Sequence, residues 1–303
     1  VKRVPSRSYK PQHRGGKGII GMVTREADAV RLLVVADTHD NLLFFTNRGR
    51  VFHLKCYEIP AGSSRVAKGT AVINLFSVAD NERVTAMVAL ADFKPGAYLL
   101  MATRRGEIKK TTVDKFASVR SSGLIAMDLE QGDELVTTCL ATDKDDVLLV
   151  TEAGQAIKFG VSALRAVSRT SGGVRGIRLS PDDQVVGMDI IRPGAFVLAV
   201  TTGGFGKLTK VNAYPRQHRA GSGVRTFKLT EKTGVVAAAQ VVSLSQQAMI
   251  ISAEGIVIQT PVREKDPSRG ISIQGRSTQG VKLMRLDPGD MVVAIACFNK
   301  GAK

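Results

Sequence analysis

Residues 12 to 18 read QHRGGKG, with two cations, Arg14 and Lys17, set among three glycines, Gly15, Gly16 and Gly18. Glycine removes the side chain that would hold a ligand away from backbone N–H groups, and with lysine and arginine beside them those groups suit an anionic oxygen. The chemistry is phosphate recognition, and the ligand is either a nucleotide or a nucleic-acid backbone. A nucleotide loop needs G-x-x-x-x-G-K-[ST], yet here Gly18 follows Lys17. In the second stretch of this kind, TTGGFGKLT, Thr201 stands where the first glycine belongs and Leu208 where Ser or Thr is required. Neither lies in a strand–loop–helix context, so nucleotide binding is set aside. A structural surface turn is the plain alternative for the glycines.

The elements that carry such loops emerge from internal repetition. A glycine followed by an alternating apolar stretch occurs as GIIGMVT from Gly18, GTAVINL from Gly69, GLIAMDL from Gly123, GVRGIRL from Gly173, GVRTFKL from Gly223 and GVKLMRL from Gly280. Each copy runs into a polar turn with an acidic bias: READ, VADNE, EQGD, SPDD, EKTG and DPGD. Between the copies lies a second unit, two apolar strands around a turn centred on Gly49, Gly106, Gly154, Gly204 or Gly255, which is a hairpin signature. The opening VKRV of residues 1 to 4 matches the returning strand of such a hairpin, as in IKKT. Short strands and almost no helical periodicity predict an all-β chain of six four-stranded blades closed into a ring. On this reading the chain is a piece of a longer one, starting one strand inside its first blade.

Four residues before the unit glycines stand Arg14, Arg65, Val119, Arg169, Arg219 and Arg276, and Arg120 follows the one exception. Lys17, Lys68, Arg175, Arg216, Arg225 and Lys282 cluster around them. If the unit strand runs seven residues, the acidic turns fall roughly 20 Å away at its other end, leaving a basic rim. Lys plus Arg is 43 against 27 acids, a formal charge of +16, which points to a polyanion, nucleic acid or an anionic membrane. No apolar run is long enough to span a bilayer. With 5% aromatics and no Trp, single-strand stacking is poorly supplied. No recognition-helix or zinc-finger spacing is present, so base reading is minor. Double-stranded DNA held through its phosphates and bent is the better inference. Bending about 40 base pairs through a half-turn costs on the order of 10 kcal/mol, which calls for many cations along the path. Cys56, Cys139 and Cys297 lie far apart beside apolar residues, as buried thiols of a reducing cytoplasm do. The four histidines are scattered, with no metal-ligand spacing.

QHRGGKG resembles the seven-residue box Q-R-R-G-G-K-G that marks the C-terminal domain of the bacterial gyrase A protein. Gln12, Arg14, Gly15, Gly16, Lys17 and Gly18 match it, while His13 departs from it and weakens its permanent charge. RLLVVADTHDNLLFFTNRGRVFHLKCYEIP and TSGGVRGIRL resemble the same family, so the resemblance covers essentially residues 1–303 as one domain. It implies a six-bladed β-pinwheel, a propeller-like ring whose blades exchange strands. The implied role is to wrap duplex DNA around the rim so that the DNA gyrase holoenzyme introduces negative supercoils. The implied partners are double-stranded DNA, the gyrase B protein, and the remainder of gyrase A, in a bacterial cytoplasm close to the nucleoid. ATP and Mg²⁺ belong to other parts of that holoenzyme, and its nucleophilic tyrosine to an upstream domain. Tyr9, Tyr57, Tyr98 and Tyr214 are therefore not expected to be catalytic, and the domain is not expected to be an enzyme by itself. The alternatives are the related domain of topoisomerase IV, which binds and bends DNA without the full wrap, and a propeller scaffold for protein partners.

Overall fold

The computed structural model describes residues 1–5, 19–20, 32, 34–62, 68–119, 122–263 and 270–299. Its recurrent unit is a hairpin built on the pattern Thr/Ser-x-x-Gly. Thr46, Thr103, Thr151, Thr201 and Ser252 are completely buried. Each hydroxyl accepts the backbone N–H four residues on, at 3.1–3.3 Å, from Arg50, Glu107, Gln155, Phe205 or Ile256. The glycine between them takes φ of +71° to +87° in all five turns, a conformation open to glycine and costly for other residues.

In chain order the strands are β1 (Ile19–Ile20), β2 (Asn41–Thr46), β3 (Arg50–Lys55), β4 (Val84–Leu90), β5 (Tyr98–Thr103), β6 (Glu107–Thr112) and β7 (Leu124–Ile125). There follow β8 (Leu135–Ala141), β9 (Asp146–Thr151), β10 (Gln155–Gly160), β11 (Val174–Arg175), β12 (Val185–Ile191), β13 (Phe196–Thr201) and β14 (Phe205–Lys210). The last are β15 (Val224–Arg225), β16 (Val236–Val242), β17 (Gln246–Ser252), β18 (Ile256–Pro261), β19 (Val281–Lys282) and β20 (Val292–Asn299). They form five antiparallel sheets, ordered β4-β2-β3-β7, β8-β5-β6-β11, β12-β9-β10-β15, β16-β13-β14-β19 and β20-β17-β18-β1.

The outer strand of each blade does not come from the hairpin's own repeat. Leu124 pairs with Val51, Val174 with Ile108, Val224 with Ala156 and Val281 with Gly206, so the chain builds the next hairpin before returning to finish the one before it. Ile19 and Ile20 pair with Val257 and Ile256, so a segment near the start of the chain finishes the blade built near its end. The long strands β4, β8, β12, β16 and β20 abut from blade to blade on the inside, and the two-residue strands lie at the periphery.

Both faces of each hairpin are buried, which explains the continuous apolar runs. Leu99 and Met101 pack with Leu43, Phe45 and Val51 of the preceding blade, while Leu100, Ala102 and Ile108 pack with Val147, Leu149 and Ile157 of the following one. Because successive side chains point to opposite faces, a single strand holds two neighbouring blades together.

Where six four-stranded blades were expected, the described residues form five. Residues 1–4 belong to none of these sheets. Arg3 bridges Ala61 in parallel as Lys110 bridges Ala166 and Lys158 bridges Arg216. Val1 exchanges backbone hydrogen bonds with Thr70 at 2.5 and 2.7 Å, where Ala156 faces Val224 in a complete blade. After that pairing the Gly69 copy turns into a 3₁₀ segment, Val72–Asn74, instead of continuing as a strand. Phe76 packs against Phe44 and Phe52, at centroid distances of 4.8 and 4.9 Å.

Candidate nucleic-acid interface

The loops that precede the outer strands hang from the returning strands of the hairpins. Val167 N–H donates to the Lys110 carbonyl at 2.9 Å, Gln217 to Lys158 at 2.8 Å and Gln274 to Leu208 at 2.8 Å. Two residues further on, each loop presents its arginine. Arg169 Nη1 donates to the carbonyl of Ile125 at 2.8 Å, Arg219 Nη1 to that of Arg175 at 3.0 Å and Arg276 Nη1 to that of Arg225 at 2.9 Å. Ile125, Arg175 and Arg225 are the second residues of β7, β11 and β15. Each arginine is thus seated on the outer strand of the preceding repeat, one nitrogen anchored to backbone.

That seat gathers cations. Arg175 and Arg225 are exposed, and so is Lys282 at the same position of β19. Lys282 Nζ lies 4.7 Å from the centre of the Phe205 ring and donates to the Gly203 carbonyl at 3.0 Å. Partial burial and the neighbouring Lys232 lower its pKa. Arg216 is committed elsewhere, in an ion pair with Asp146 at 3.1 Å. Lys68 is exposed just before Gly69. Gln12, His13, Arg14, Gly15, Gly16, Lys17, Gly18, Arg65 and Arg120 lie outside the described residues. Arg50, on β3, contacts the segment just before β7. Its Nη2 donates to the Ser122 carbonyl at 2.5 Å, while its Nη1 pairs with the buried Glu82 at 2.6 Å.

The separation of basic and acidic edges does not hold. The unit strand is two residues long rather than seven, because only that part pairs with the neighbouring hairpin. A groove of about 600 Å³ is lined by Arg175 and Arg219 together with Arg105, Glu107 and Glu130. Burial first, then the nearby Glu130 and Asp133, raise the Glu107 pKa. Several turn acids have structural tasks. Asp133 Oδ1 accepts the Arg105 and Glu134 N–H groups at 3.0 and 2.8 Å, Asp183 Oδ1 accepts that of Ala153 at 2.8 Å, and Asp290 Oδ1 that of Glu254 at 3.2 Å. Each acid closes the hairpin turn of the preceding unit, and the rim is a basic surface with acids interleaved.

The sequence reading missed two residues under these loops. Lys109 and Lys207, almost wholly buried on β6 and β14, direct their ammonium groups into the loops of Arg169 and Arg276. Their sequence signal is a lysine at the third position of a returning strand, where Phe52, Ile157 and Ile258 stand in the other blades. Among the described residues no cluster of three His, Cys, Asp or Glu side chains could hold a metal ion. Among the described residues, no helix is long and apolar enough to cross a membrane.

The family model of the DNA gyrase C-terminal domain, a β-propeller, matches residues 1–37, 40–91, 97–138, 145–192, 195–243 and 246–299, one segment per repeat. The gyrase A protein of Dehalogenimonas lykanthroporepellens is 54% identical over 296 residues, spanning 98% of this chain and 36% of that protein. The gyrase A protein of Salmonella typhimurium is 40% identical over 295 residues, 97% of this chain and 33% of that protein. The chain therefore spans about a third of the length of the curated relatives it matches. A solved structure of a DNA gyrase A C-terminal domain superposes with a TM-score of 0.86 over 98% of this chain and 95% of its own, at 24% identity, which establishes the shared fold. The chain belongs to the DNA gyrase C-terminal domain family.

Proposed function

We propose that this chain binds double-stranded DNA through its phosphates, with little sequence preference, and wraps it around the rim of the propeller. The observation that carries this reading is the repeated seat of Arg169, Arg219 and Arg276, each fixed by the same hydrogen bond one blade apart. A duplex is a regular line of charge, and cations held at a regular interval by backbone anchors follow such a line without reordering on binding. The net charge of +16 supports a polyanion as the partner.

In the holoenzyme the wrapped segment gives strand passage its direction, so that ATP-driven cycles by gyrase B and the rest of gyrase A yield negative supercoils. The work is done in the bacterial cytoplasm, and this domain carries neither the nucleophile nor the nucleotide site. Relatives at 54% and 40% identity are gyrase A proteins, which supports gyrase rather than the topoisomerase IV paralogue. Titration of a duplex against the chain at increasing salt tests the binding step. A log–log slope of about −5 or steeper corresponds to six or more phosphate contacts. A shallow slope, or a strong preference for one sequence over scrambled competitors, excludes the reading.

A further inference from the structure

Two of the arginine loops are built around an internal cation. Lys109 Nζ donates to the carbonyls of Ser168 at 3.0 Å, Arg169 at 2.7 Å and Ser171 at 2.9 Å. Lys207 Nζ, in the equivalent register, donates to the carbonyls of Gly275 at 2.7 Å, Arg276 at 2.6 Å and Thr278 at 3.0 Å, and contacts Thr278 Oγ1 at 3.0 Å. An ammonium has three N–H donors and no acceptor, so each lysine is fully engaged with the backbone of one loop.

The engagement dictates where the loop's other polar groups point. In a trans peptide the C=O and the following N–H are directed oppositely, and no peptide among the described residues is cis. Carbonyls 168, 169 and 171 drawn toward Lys109 turn the N–H groups of Arg169, Thr170 and Gly172 away from it. Carbonyls 275, 276 and 278 drawn toward Lys207 do the same to Arg276, Ser277 and Gln279. None of these six N–H groups meets a backbone acceptor within the described residues. Adjacent N–H groups facing outward beside a guanidinium form a concavity for an anionic oxygen.

We propose that Lys109 and Lys207 are positioning residues that turn loops 168–172 and 275–279 into two phosphate-diester seats, each completed by its own arginine, Arg169 or Arg276. The proposal rests on the DNA-binding reading and deepens it: these two loops grip the duplex through backbone amides as well as charge. The loop of Arg219, seated on Ile157, has no ammonium beneath it and contributes its side-chain charge alone.

The seats are pH-sensitive. The charged groups facing Lys109 are Arg169 from its loop and Asp128 from the segment after β7, and Arg276 faces Lys207, whose Nζ also lies 4.9 Å from the Phe227 ring. Burial first, then the neighbouring arginine, brings each lysine down to about 8. The neutral amine keeps two donors and turns a lone pair on the third carbonyl, so the loop loses its set.

The test compares the chain with Lys109→Met, Lys207→Met and the double variant. Duplex binding is measured from pH 7 to 9.3 at fixed salt, with thermal unfolding followed in parallel. Each single change should weaken binding about threefold to tenfold, and the double should also reduce the log–log salt slope. The unaltered chain should lose affinity above pH 8, a step the double variant lacks. Equal affinity and slope for the double variant and the unaltered chain overturn the proposal. Failure of the unaltered chain to bind duplex at pH 7 refutes the DNA-binding reading itself. If a variant does not fold, an affinity of the unaltered chain that stays flat to pH 9.3 is the contradicting result.

Discussion

Arg219 Nη1 donates to the backbone carbonyl of Arg175 at 3.0 Å, which places two cations from successive repeats side by side on one outer strand. Like charges held together repel at low salt. Here a backbone hydrogen bond fixes the arrangement, and a polyanion spanning both guanidinium groups removes the repulsion. The same pairing recurs with Arg276 on Arg225, so strand exchange between blades also spaces the cations.

Replacing Arg219 by Ala should weaken duplex binding severalfold and lower the salt slope by about one. Thermal stability should move little, because the side chain is exposed. Arg219→Lys keeps the charge without the planar donor and should fall between the two. Fluorescence anisotropy at three salt concentrations separates these outcomes, and an unchanged slope for Arg219→Ala would remove this residue from the rim.

Gly204→Ala should destabilise the fold by about 2–4 kcal/mol. Its φ is +77°, and an added Cβ would sit 2.6 Å from the Met284 carbonyl oxygen. Gly96→Ala also sits at positive φ, +109°, but meets nothing within 4 Å and should cost only about 1 kcal/mol. Denaturant unfolding of the pair measures the difference, and similar losses at the two positions would contradict the close approach of the two blades.

Cys139 and Cys297 should be nearly inert to thiol reagents at pH 8 in the folded chain. Both residues are half-buried, and desolvation of the thiol, reinforced by Asp189, pushes each above its ordinary value and keeps it protonated. Reaction with a chromogenic disulfide should be slow in the folded chain and become rapid in denaturant. Fast native labelling of either thiol would place it nearer solvent than the fold does.

Lys109 and Lys207 give stability and binding opposite responses to pH. Both are lowered to about 8 in the folded chain from an ordinary 10.5, so between those values the unfolded chain binds more protons. Their contribution to stability is therefore least favourable below pH 8 and rises with pH up to about 10.5. The unfolding free energy of the chain relative to the Lys109→Met, Lys207→Met double variant should increase over that window, while DNA affinity declines. A relative stability that falls with pH would reverse the sign and show that the fold favours the charged amines.

The hairpins and their glycine turns were legible because a buried strand, a Thr-x-x-Gly turn and a returning strand are local. The interleaving of acids with the basic rim was not, because it depends on partners far apart in the chain. Leu124 pairs with Val51 across an entire intervening hairpin, in a strand only two residues long. That shortness lets Glu130 reach the groove of Arg175 and Arg219. Lys109 and Lys207 read as ordinary polar residues, since nothing local distinguishes a buried ammonium seated on carbonyls from a solvated one. Arg216 read as a rim cation because its ion pair with Asp146 is formed only when two repeats meet.

The claim that the rim wraps DNA, beyond binding it, is tested most directly by linking number. The chain is bound to relaxed circular DNA, the circle is relaxed again with a type I topoisomerase, and the topoisomers are resolved after the protein is removed. The account predicts a shift in linking number that grows with bound protein. A curved duplex must be held at its ends, so Arg14→Ala with Lys17→Ala should keep most of the binding yet lose this shift, whereas Arg169→Ala with Arg175→Ala should reduce it more mildly. A topoisomer distribution left unchanged at saturating protein would contradict wrapping, even with binding intact.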